Sequence, residues 1–308
     1  MSPRLRHLTT LEHLPRETIE RLLDRAESMR EGCAHGTRKL ELLSGRTILN
    51  LFFEPSTRTR TSFELAARRL SADVINFDIG FSSTSKGEAL FDTLHTLEAM
   101  HLDAIVVRHK ISGTPEELVR HAMSGVSVIN AGDGNRAHPT QGLLDVLTIR
   151  QHRPDFKQLT VVICGDVKHS RVARSDVHAL KAMGVKEIRL CSPKALMPQE
   201  SEFPGCVITD DFDAAVEGAD VVIMLRLQKE RMAVTDLPDE AAYFQRYGLD
   251  NRRLARAAKA ALVMHPGPLN RGIEIAPEVA DGPQSRILEQ VGNGVFVRMA
   301  VLAEVLGR

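Results

Sequence analysis

The stretch RTILNLFFEPSTRTRTSFELAARRL, residues 46–70, passes directly from a strand pattern into a helix pattern. Its opening run, RTILNLFF, is apolar and β-branched, as buried strands of parallel sheets are. Pro55 has no N–H to donate to a sheet, so we expect the strand to stop before it. Apolar residues then recur at helical spacing up to Leu70, and Ser56 or Thr57 is suited to cap the helix. The stretch therefore predicts one strand and one helix of an α/β fold.

The same alternation continues along the chain, and it is typical of parallel sheets covered by helices. After a predicted helix near 140–152, the polar exit RQHRPDFKQ divides the predicted strands into two groups of four. We expect two doubly wound parallel-sheet domains, 1–145 and 146–290, which face each other across an active-site cleft. A C-terminal helix of about 285–308 is expected to pack back on the first domain. The predicted strands are 46–53, 73–77, 103–107, 126–130, 159–164, 187–191, 220–225 and 261–265.

Composition excludes several classes of partner and cofactor. With 40 basic and 40 acidic residues the formal net charge is +0, so no overall field favours nucleic acid or an anionic membrane. No apolar run approaches the ~18 residues of a membrane span, and MSPRLRHLTT has no apolar signal region, which together predict a cytoplasmic protein. The cysteines lie far apart without CxxC spacing, which predicts reduced core thiols and no metal site or disulfide. They are Cys33, Cys164, Cys191 and Cys206.

Five hydroxyl side chains surround Arg58 and Arg60 at the start of the predicted helix. A solvated, hydroxyl-rich N-cap explains such a turn when it stands alone. Arginine in a first helical turn, however, opposes the positive end of the helix dipole. A bound phosphate reverses that penalty, because backbone N–H groups, hydroxyls and guanidinium all donate to its oxygens. We therefore predict a phosphate-binding turn between this strand and this helix.

Polar side chains follow other predicted strands as well, at the position where open α/β sheets bind ligands. Arg108 follows DAIVV directly. His138 and Gln141 come after VSVIN, with Pro139 suited to the first position of the next helix. Each residue alone is as readily a surface charge or a rim salt bridge. Their common location beside the phosphate turn makes them candidate ligands.

The second half of the chain repeats the pattern with arginine. Arg171 starts a predicted helix against its dipole, and Arg226 and Gln228 follow the run DVVIML. Together the two halves describe a ligand with anionic groups at both ends. The sequence has no GxSxG, HExxH, Walker A or CxxC motif. We therefore expect catalysis by positioning and charge stabilisation, without a cofactor and without covalent or metal intermediates.

Seven segments in order resemble the motif series of the aspartate/ornithine carbamoyltransferase family, on its aspartate side. The resemblance covers essentially the whole chain. It implies transfer of the carbamoyl group of carbamoyl phosphate to the amine of L-aspartate, which gives N-carbamoyl-L-aspartate and phosphate in de novo pyrimidine synthesis. The segments are FFEPSTRTRTSFE, SSTSKGE, VVRH, GDGNRAHPTQGLLD, GDVKHSRVARS, LRLQKERM and MHPGPLNRGIEI.

The resemblance also implies a role for each candidate residue. The phosphate is expected to be bound by Ser56, Thr57, Arg58 and Thr59. The carbamoyl carbonyl oxygen is expected to be bound by Thr59, Arg108 and His138, and the carbamoyl NH2 by Gln141. The aspartate carboxylates are expected to be bound by Arg171, Arg226 and Gln228, and the amine side by the backbone of Pro266, Gly267 and Pro268. Ser82 and Lys86 are expected to enter the site of the adjacent subunit of a homotrimer, with Lys86 also reaching aspartate. Glu54, Arg171 and Arg231 are expected to bridge the domains on closure. Regulatory chains or a dihydroorotase are further partners that the family implies.

One position departs from the family pattern, and three alternatives stay open. Gly267 stands where some branches carry a larger apolar residue, and we expect it to be tolerated but to loosen the loop. An ornithine carbamoyltransferase would carry His-Cys-Leu-Pro in place of residues 265–268 and Cys in place of Thr140. GDGNRA, residues 132–137, fits the G-x-G-x-x-A of a nicotinamide oxidoreductase, although Pro139 follows at once. A non-catalytic relative that retains the fold is the third alternative.

Overall fold

The computed structural model describes residues 4–34, 39–77, 95–122, 125–228 and 239–307. The chain divides into two units, Met1–Leu144 with Val291–Arg308, and Asp145–Gln290. We call them unit 1 and unit 2. Each contains a parallel sheet with helices interleaved along the chain. This is the α/β class that the alternating pattern predicts.

Unit 1 is built on a four-stranded sheet in the order β2-β1-β3-β4. All its described strand pairs are parallel, so the carboxyl ends of the strands meet at one edge. The apolar side chains of β3 and those of β1 other than Phe52 are fully buried. The strands are β1 (Thr47–Phe52), β2 (Asp73–Phe77), β3 (Ala104–His109) and β4 (Ser127–Asp133).

Helices cover the sheet of unit 1 through apolar faces. The first helix buries Ile19, Leu22, Leu23, Ala26 and Met29, which recur at helical spacing. The C-terminal helix is held by Glu304, whose carboxylate accepts from Arg21 at 2.9 Å and Arg25 at 3.3 Å. The helices are α1 (Arg16–Ala34), α2 (Thr57–Arg69), α3 (Thr114–His121), α4 (Pro139–His152), which continues into unit 2, and the C-terminal helix Ile287–Leu306, which begins in unit 2.

Unit 2 contains a five-stranded parallel sheet in the order β7-β6-β5-β8-β9. The prediction of four strands here is wrong, because it lacks β7. That strand lies in the short run CVIT, residues 206–209, and none of its three residues is buried, with Val207 49% exposed. β9, which is equally short, is fully buried within the longer run ALVMH. The strands are β5 (Thr160–Cys164), β6 (Glu187–Cys191), β7 (Val207–Thr209), β8 (Val221–Met224) and β9 (Leu262–Met264).

Short helices and one long helix complete unit 2. Its core includes both Cys164 and Cys191, which are opposite each other on β5 and β6. All four cysteines are free, as predicted, but Cys33 and Cys206 are only partly buried. Of the helices in the described ranges, none has the length and apolarity that a membrane span needs. The helices that begin in unit 2 after α4 are α5 (Arg171–Met183), α6 (Phe212–Val216), α7 (Glu240–Tyr247), α8 (Asn251–Leu254), α9 (Pro277–Ala280) and α10 (Ile287–Leu306).

Candidate active site

The turn between β1 and α2 has the form that an anion site requires. Ser56 is the N-cap residue, as predicted, but its side chain accepts no capping hydrogen bond. Thr57 and Arg58 are exposed in the first turn, whereas Thr59 is buried. The backbone ladder of the helix starts with Arg60 N–H donating to Ser56 O at 3.2 Å. The N–H groups before it point beyond the helix end, as in known phosphate sites.

Arg108 lies inside β3, one residue before its end, whereas the sequence placed it after the strand. Its side chain is only 14% exposed. One guanidinium nitrogen donates to Ala131 O at 3.1 Å, and Nε lies 3.4 Å from Glu54 Oε2. Arg108 is thus fixed between the ends of β1 and β4. Glu54, a predicted domain-closure residue, pairs with it in this structure.

His138 and Gln141 stand where β4 gives way to α4. Pro139 is the first residue of that helix, as predicted. Both His138 and Gln141 are buried, at 5% and 8% exposure. The His138 carbonyl accepts from Gln141 N–H at 2.9 Å. The imidazole and the carboxamide therefore sit at the carboxyl edge of the sheet, on the side of Arg108 away from β1.

The glycine-rich turn before His138 is not a nicotinamide site. A pyrophosphate group would need the N–H groups of this turn and the start of a helix. Instead, the buried carboxylate of Asp133 accepts the N–H of Ala137 at 3.2 Å, and the helix begins only at Pro139. The Ala137 N–H is thus already engaged by a protein side chain and does not face a phosphate oxygen.

In unit 2, Arg171 opens α5 and is 7% exposed. Ser170 caps this helix, and its hydroxyl accepts from Ala173 N–H at 3.0 Å. A guanidinium that is buried at a helix start is costly unless anionic or hydrogen-bonding groups face it. The burial of Arg171 therefore excludes a solvated surface charge.

Arg226 and Gln228 lie in the coil after β8, close to the end of β5. Gly165 has a φ of 135°, and a Cβ there would lie 2.5 Å from Leu225 O, so only glycine allows the two segments to approach this closely. The next residue, Asp166, is fully buried, and its Oδ2 accepts from Gln228 N–H at 3.4 Å. Burial raises the pKa of the Asp166 carboxyl, and the charge and hydrogen bonds of His169 oppose that rise.

The loop after β9 is held by a buried histidine and glutamate. His265 Nδ1 accepts from Gly267 N–H at 2.8 Å, so the ring proton is on Nε2, which donates to Glu274 Oε1 at 3.1 Å. Asn270 N–H donates to the same oxygen at 2.5 Å. Gly267 has a φ of 69°, which favours glycine over the larger residue of some family members. The backbone of Pro266–Pro268 is therefore fixed from inside the unit.

Two groups of predicted residues are thus brought together, one in each unit. In unit 1 they share the carboxyl edge of β1, β3 and β4, and in unit 2 that of β5, β8 and β9, which are neighbours in the sheet. Ser82, Lys86 and Arg231 lie outside the described residues. Across the described ranges, His, Cys, Asp and Glu side chains form no group of three that could hold a metal ion.

Sequence analysis assigned no role to Asp133, Asp166 or Glu274. All three are fully buried and accept N–H groups from the loops that carry the candidate ligands. The sequence contains one weak signal that these acids are buried. Asp133 and Asp166 each follow a glycine at a strand end, in AGD and CGD, and Glu274 lies between two isoleucines, in IEI. A charged residue in such a position is buried only when it is well hydrogen-bonded.

Cationic, hydroxyl and amide groups at the carboxyl edges of all-parallel sheets define a class of α/β enzymes that bind small anionic substrates there. Two family models specify the class further. Residues 6–151 match "Aspartate/ornithine carbamoyltransferase, carbamoyl-P binding domain", and residues 157–305 match "Aspartate/ornithine carbamoyltransferase, Asp/Orn binding domain". The chain belongs to the aspartate/ornithine carbamoyltransferase family.

Individual relatives cover nearly the whole chain. It is 58% identical over 308 residues to an aspartate carbamoyltransferase catalytic subunit of Stenotrophomonas maltophilia, covering 99% of this chain and 98% of the relative. The aspartate transcarbamoylase of Trypanosoma cruzi, solved with carbamoyl aspartate and phosphate, is 34% identical with a TM-score of 0.88 and covers 99% of both chains. An ornithine carbamoyltransferase of Thermus thermophilus has a TM-score of 0.86 at 26% identity and covers 99% of this chain and 100% of its own.

Proposed function

We infer that this chain transfers the carbamoyl group of carbamoyl phosphate to the amine of L-aspartate in pyrimidine biosynthesis. In the reaction a C–N bond forms, the C–O bond to phosphate breaks, and a proton passes from the amine to the leaving phosphate. Negative charge develops on the carbamoyl oxygen as the amine attacks. Fixed donors that face this charge are the main contribution that a protein of this design can make.

Unit 1 is assigned to carbamoyl phosphate. The phosphate is bound by Ser56, Thr57, Arg58 and Thr59, because the start of α2 offers backbone N–H, hydroxyl and guanidinium donors together. The carbonyl oxygen is bound by Thr59, Arg108 and His138, and the NH2 group by Gln141. Arg108 supports the assignment most directly, because its guanidinium is held on Ala131 O and by Glu54 at the sheet edge beside that turn. Preorganised donors need no rearrangement as charge develops.

Unit 2 is assigned to L-aspartate. Arg171, Arg226 and Gln228 receive its carboxylates, and the backbone of Pro266, Gly267 and Pro268 receives its amine side. The single observation that carries the choice of aspartate is the cationic pair in this unit, the buried Arg171 and the partly buried Arg226. Two guanidinium groups match a dicarboxylate, whereas the side-chain ammonium of ornithine would be repelled by them.

The assay that tests this function measures phosphate release from carbamoyl phosphate with different acceptors. With aspartate we expect a kcat/KM at least about 100-fold above that with ornithine, the factor that a misplaced charge of roughly 3 kcal/mol produces. Succinate has both carboxylates but no amine, and should give no release above the blank. Equal or faster turnover of ornithine would overturn the choice of substrate, and no turnover with either acceptor would favour the non-catalytic alternative.

The assembly is also proposed. We place the protein in the cytoplasm as a homotrimer in which Ser82 and Lys86 of one subunit complete the site of its neighbour, with Lys86 reaching aspartate. Glu54, Arg171 and Arg231 bridge the units when both substrates are bound. Regulatory chains or a dihydroorotase are candidate partners, and the name "catalytic subunit" of the relatives supports a larger assembly.

Hybrid trimers test the shared site. Inactive Arg58→Ala and Lys86→Ala chains are mixed after the trimers have been dissociated, and then reassembled. Some hybrid sites inherit neither substitution if a site uses Arg58 from one chain and Lys86 from the next, so we expect partial recovery of activity. Recovery no greater than in separately treated parents would show that each subunit is self-sufficient.

A further inference from the structure

Asp133, the last residue of β4, is a buried carboxylate that the reaction assigned above does not use. Its exposure is 0%. Oδ1 accepts from Asn130 Nδ2 at 2.7 Å and from Ala137 N–H at 3.2 Å. Oδ2 accepts from Gly113 N–H at 2.7 Å. One side chain therefore ties three segments together: β4, the start of α4 and the turn before α3.

Asn130, which is itself fully buried, has an amide whose orientation is fixed by its other hydrogen bonds. Its Nδ2 also donates to Thr9 O at 2.8 Å, and its Oδ1 accepts from Gly132 N–H at 2.7 Å. With an N–H facing Oδ1 and two acceptors facing Nδ2, the amide has only one satisfied orientation. Asn130 can thus present only a donor to Asp133.

Two of the three groups assigned to the carbamoyl oxygen, His138 and Arg108, border this network. His138 directly follows Ala137, whose N–H donates to the Asp133 carboxylate. The carbonyl oxygen of Ala137 also accepts from the backbone N–H of Asp133 at 3.0 Å. Arg108 donates to Ala131 O, two residues before Asp133. A shift of the β4–α4 turn would therefore move the imidazole and the support of the guanidinium together.

We propose that Asp133 is a positioning residue for His138 and Arg108, acting through the backbone of the β4–α4 turn. The proposal rests on the function inferred above and adds a residue that touches neither substrate. Its chemistry requires a carboxylate, because N–H donors face both oxygens. An asparagine has one acceptor oxygen, so in either orientation its NH2 group meets an N–H.

Asp133→Asn is the variant that tests the proposal. We expect kcat to fall about 10- to 100-fold, the effect of displacing catalytic groups by up to an ångström. The KM for aspartate and the dissociation constant of a phosphonate analogue of carbamoyl phosphate should change less than about threefold, because the aligned donors matter most once charge develops. Asp103→Asn is the matched control: Asp103 also accepts a backbone N–H, from Thr47 at 2.8 Å, but at the opposite end of the same sheet. It should leave kcat unchanged.

A double-mutant cycle separates positioning from general loss of stability. If Asp133 acts through His138, Asp133→Asn should lower kcat much less in a His138→Ala background than in the wild type. Equal falls in both backgrounds, or an unchanged kcat in folded Asp133→Asn, would overturn the proposal. If Asp133→Asn does not fold, Asn130→Ala takes its place. It removes one donor and should lower kcat by a smaller factor, and an unchanged value would also overturn the proposal. An inactive wild type would instead refute the proposed function.

Discussion

The candidate ligands of unit 1 stand mostly on regular elements, whereas those of unit 2 stand mostly in coil. In unit 1 the N-cap and first turn of α2 carry four of them, and Arg108 is in β3. Of the described candidates in unit 2, only Arg171 belongs to a helix, while Arg226 and Pro266–Pro268 lie in the segments after β8 and β9. A helix or strand fixes its side chains through its own hydrogen bonds, but a coil needs other partners.

Buried acidic side chains supply those partners. Asp166 accepts Gln228 N–H beside Arg226, and Glu274 holds the loop of Gly267 through His265 and Asn270. Among the described candidate ligands of unit 1, Ser56 and His138 lie just outside regular elements. Beside His138, Asp133 has the same function. The difference teaches that a coil ligand at a parallel sheet edge is as well fixed as a helical one when a buried carboxylate collects the N–H groups of its loop.

The largest effect should come from removing the candidate substrate-binding arginine in each unit. Arg226→Ala removes a guanidinium opposite an aspartate carboxylate, and we expect the kcat/KM for aspartate to fall on the order of 10²- to 10³-fold. Binding of a phosphonate analogue of carbamoyl phosphate, measured by calorimetry, should stay within about threefold of wild type. Arg58→Ala should weaken the binding of that analogue directly.

A matched control for Arg226 is Arg252→Ala, which removes a guanidinium of unit 2 that is 60% exposed and paired with Asp213. Arg252→Ala should change neither the kcat/KM for aspartate nor the dissociation constant of the phosphonate analogue. If Arg226→Ala and Arg58→Ala weakened both substrates equally, the assignment of one substrate to each unit would be wrong.

A smaller effect is expected from the carboxylate that holds a coil ligand in unit 2. Glu274→Ala leaves the His265 Nε2–H and the Asn270 N–H without their buried acceptor. Each orphaned donor costs about 1–3 kcal/mol, so the free energy of unfolding should fall by roughly 2–5 kcal/mol. The KM for aspartate should rise roughly tenfold as the Pro266–Pro268 backbone loosens.

Urea unfolding and steady-state kinetics measure the two effects of Glu274→Ala. The control is Glu217→Ala, which breaks an exposed pair with Arg256 and should cost less than about 1 kcal/mol. An unchanged aspartate KM in a destabilised Glu274→Ala protein would mean that the carboxylate supports the fold alone.

The effect that is smallest over a single pH unit concerns a buried carboxyl group of unit 2 that lies within a helix. Burial raises the pKa of Asp176 well above its usual value, and the charge and hydrogen bond of Asp145 raise it further. The group is therefore protonated in the folded state and ionised in the unfolded state above about pH 4. The folded state thus loses stability as pH rises from about 4 towards the folded-state pKa, by up to about 1.4 kcal/mol per pH unit.

Asp176→Asn removes this titration and keeps a neutral, hydrogen-bonding side chain. We expect its free energy of unfolding to depend less on pH than that of the wild type, with the variant gaining most at pH 8. Asp211→Asn, an exchange at the N-cap of α6, should follow the wild-type pH dependence. Parallel curves for wild type and Asp176→Asn between pH 5 and 8 would show that Asp176 is ionised in the folded protein.

Local sequence patterns predicted the α/β class, eight of the nine described strands and the strand ends where the candidate ligands stand. These follow from local rules, because apolar periodicity, proline and helix-start residues act within a few positions. The phosphate-binding turn was predicted the same way, since a helix N-terminus with arginine and hydroxyl groups is a local feature, whereas the roles of the individual residues came from the family resemblance and stay predictions.

Contacts between distant segments hold those ends in place. Asp133 meets Gly113 from 20 positions away, and Asp166 meets Gln228 from 62 positions away. β7 has no buried residue, and its pairing with β6 is seen only in the folded chain. The structure also places Arg108 within β3, where its side chain contacts Ala131 and Glu54. Hydrogen bonds between distant segments leave no periodicity in a sequence, so the groups that fix the coil ligands became visible only in the folded chain.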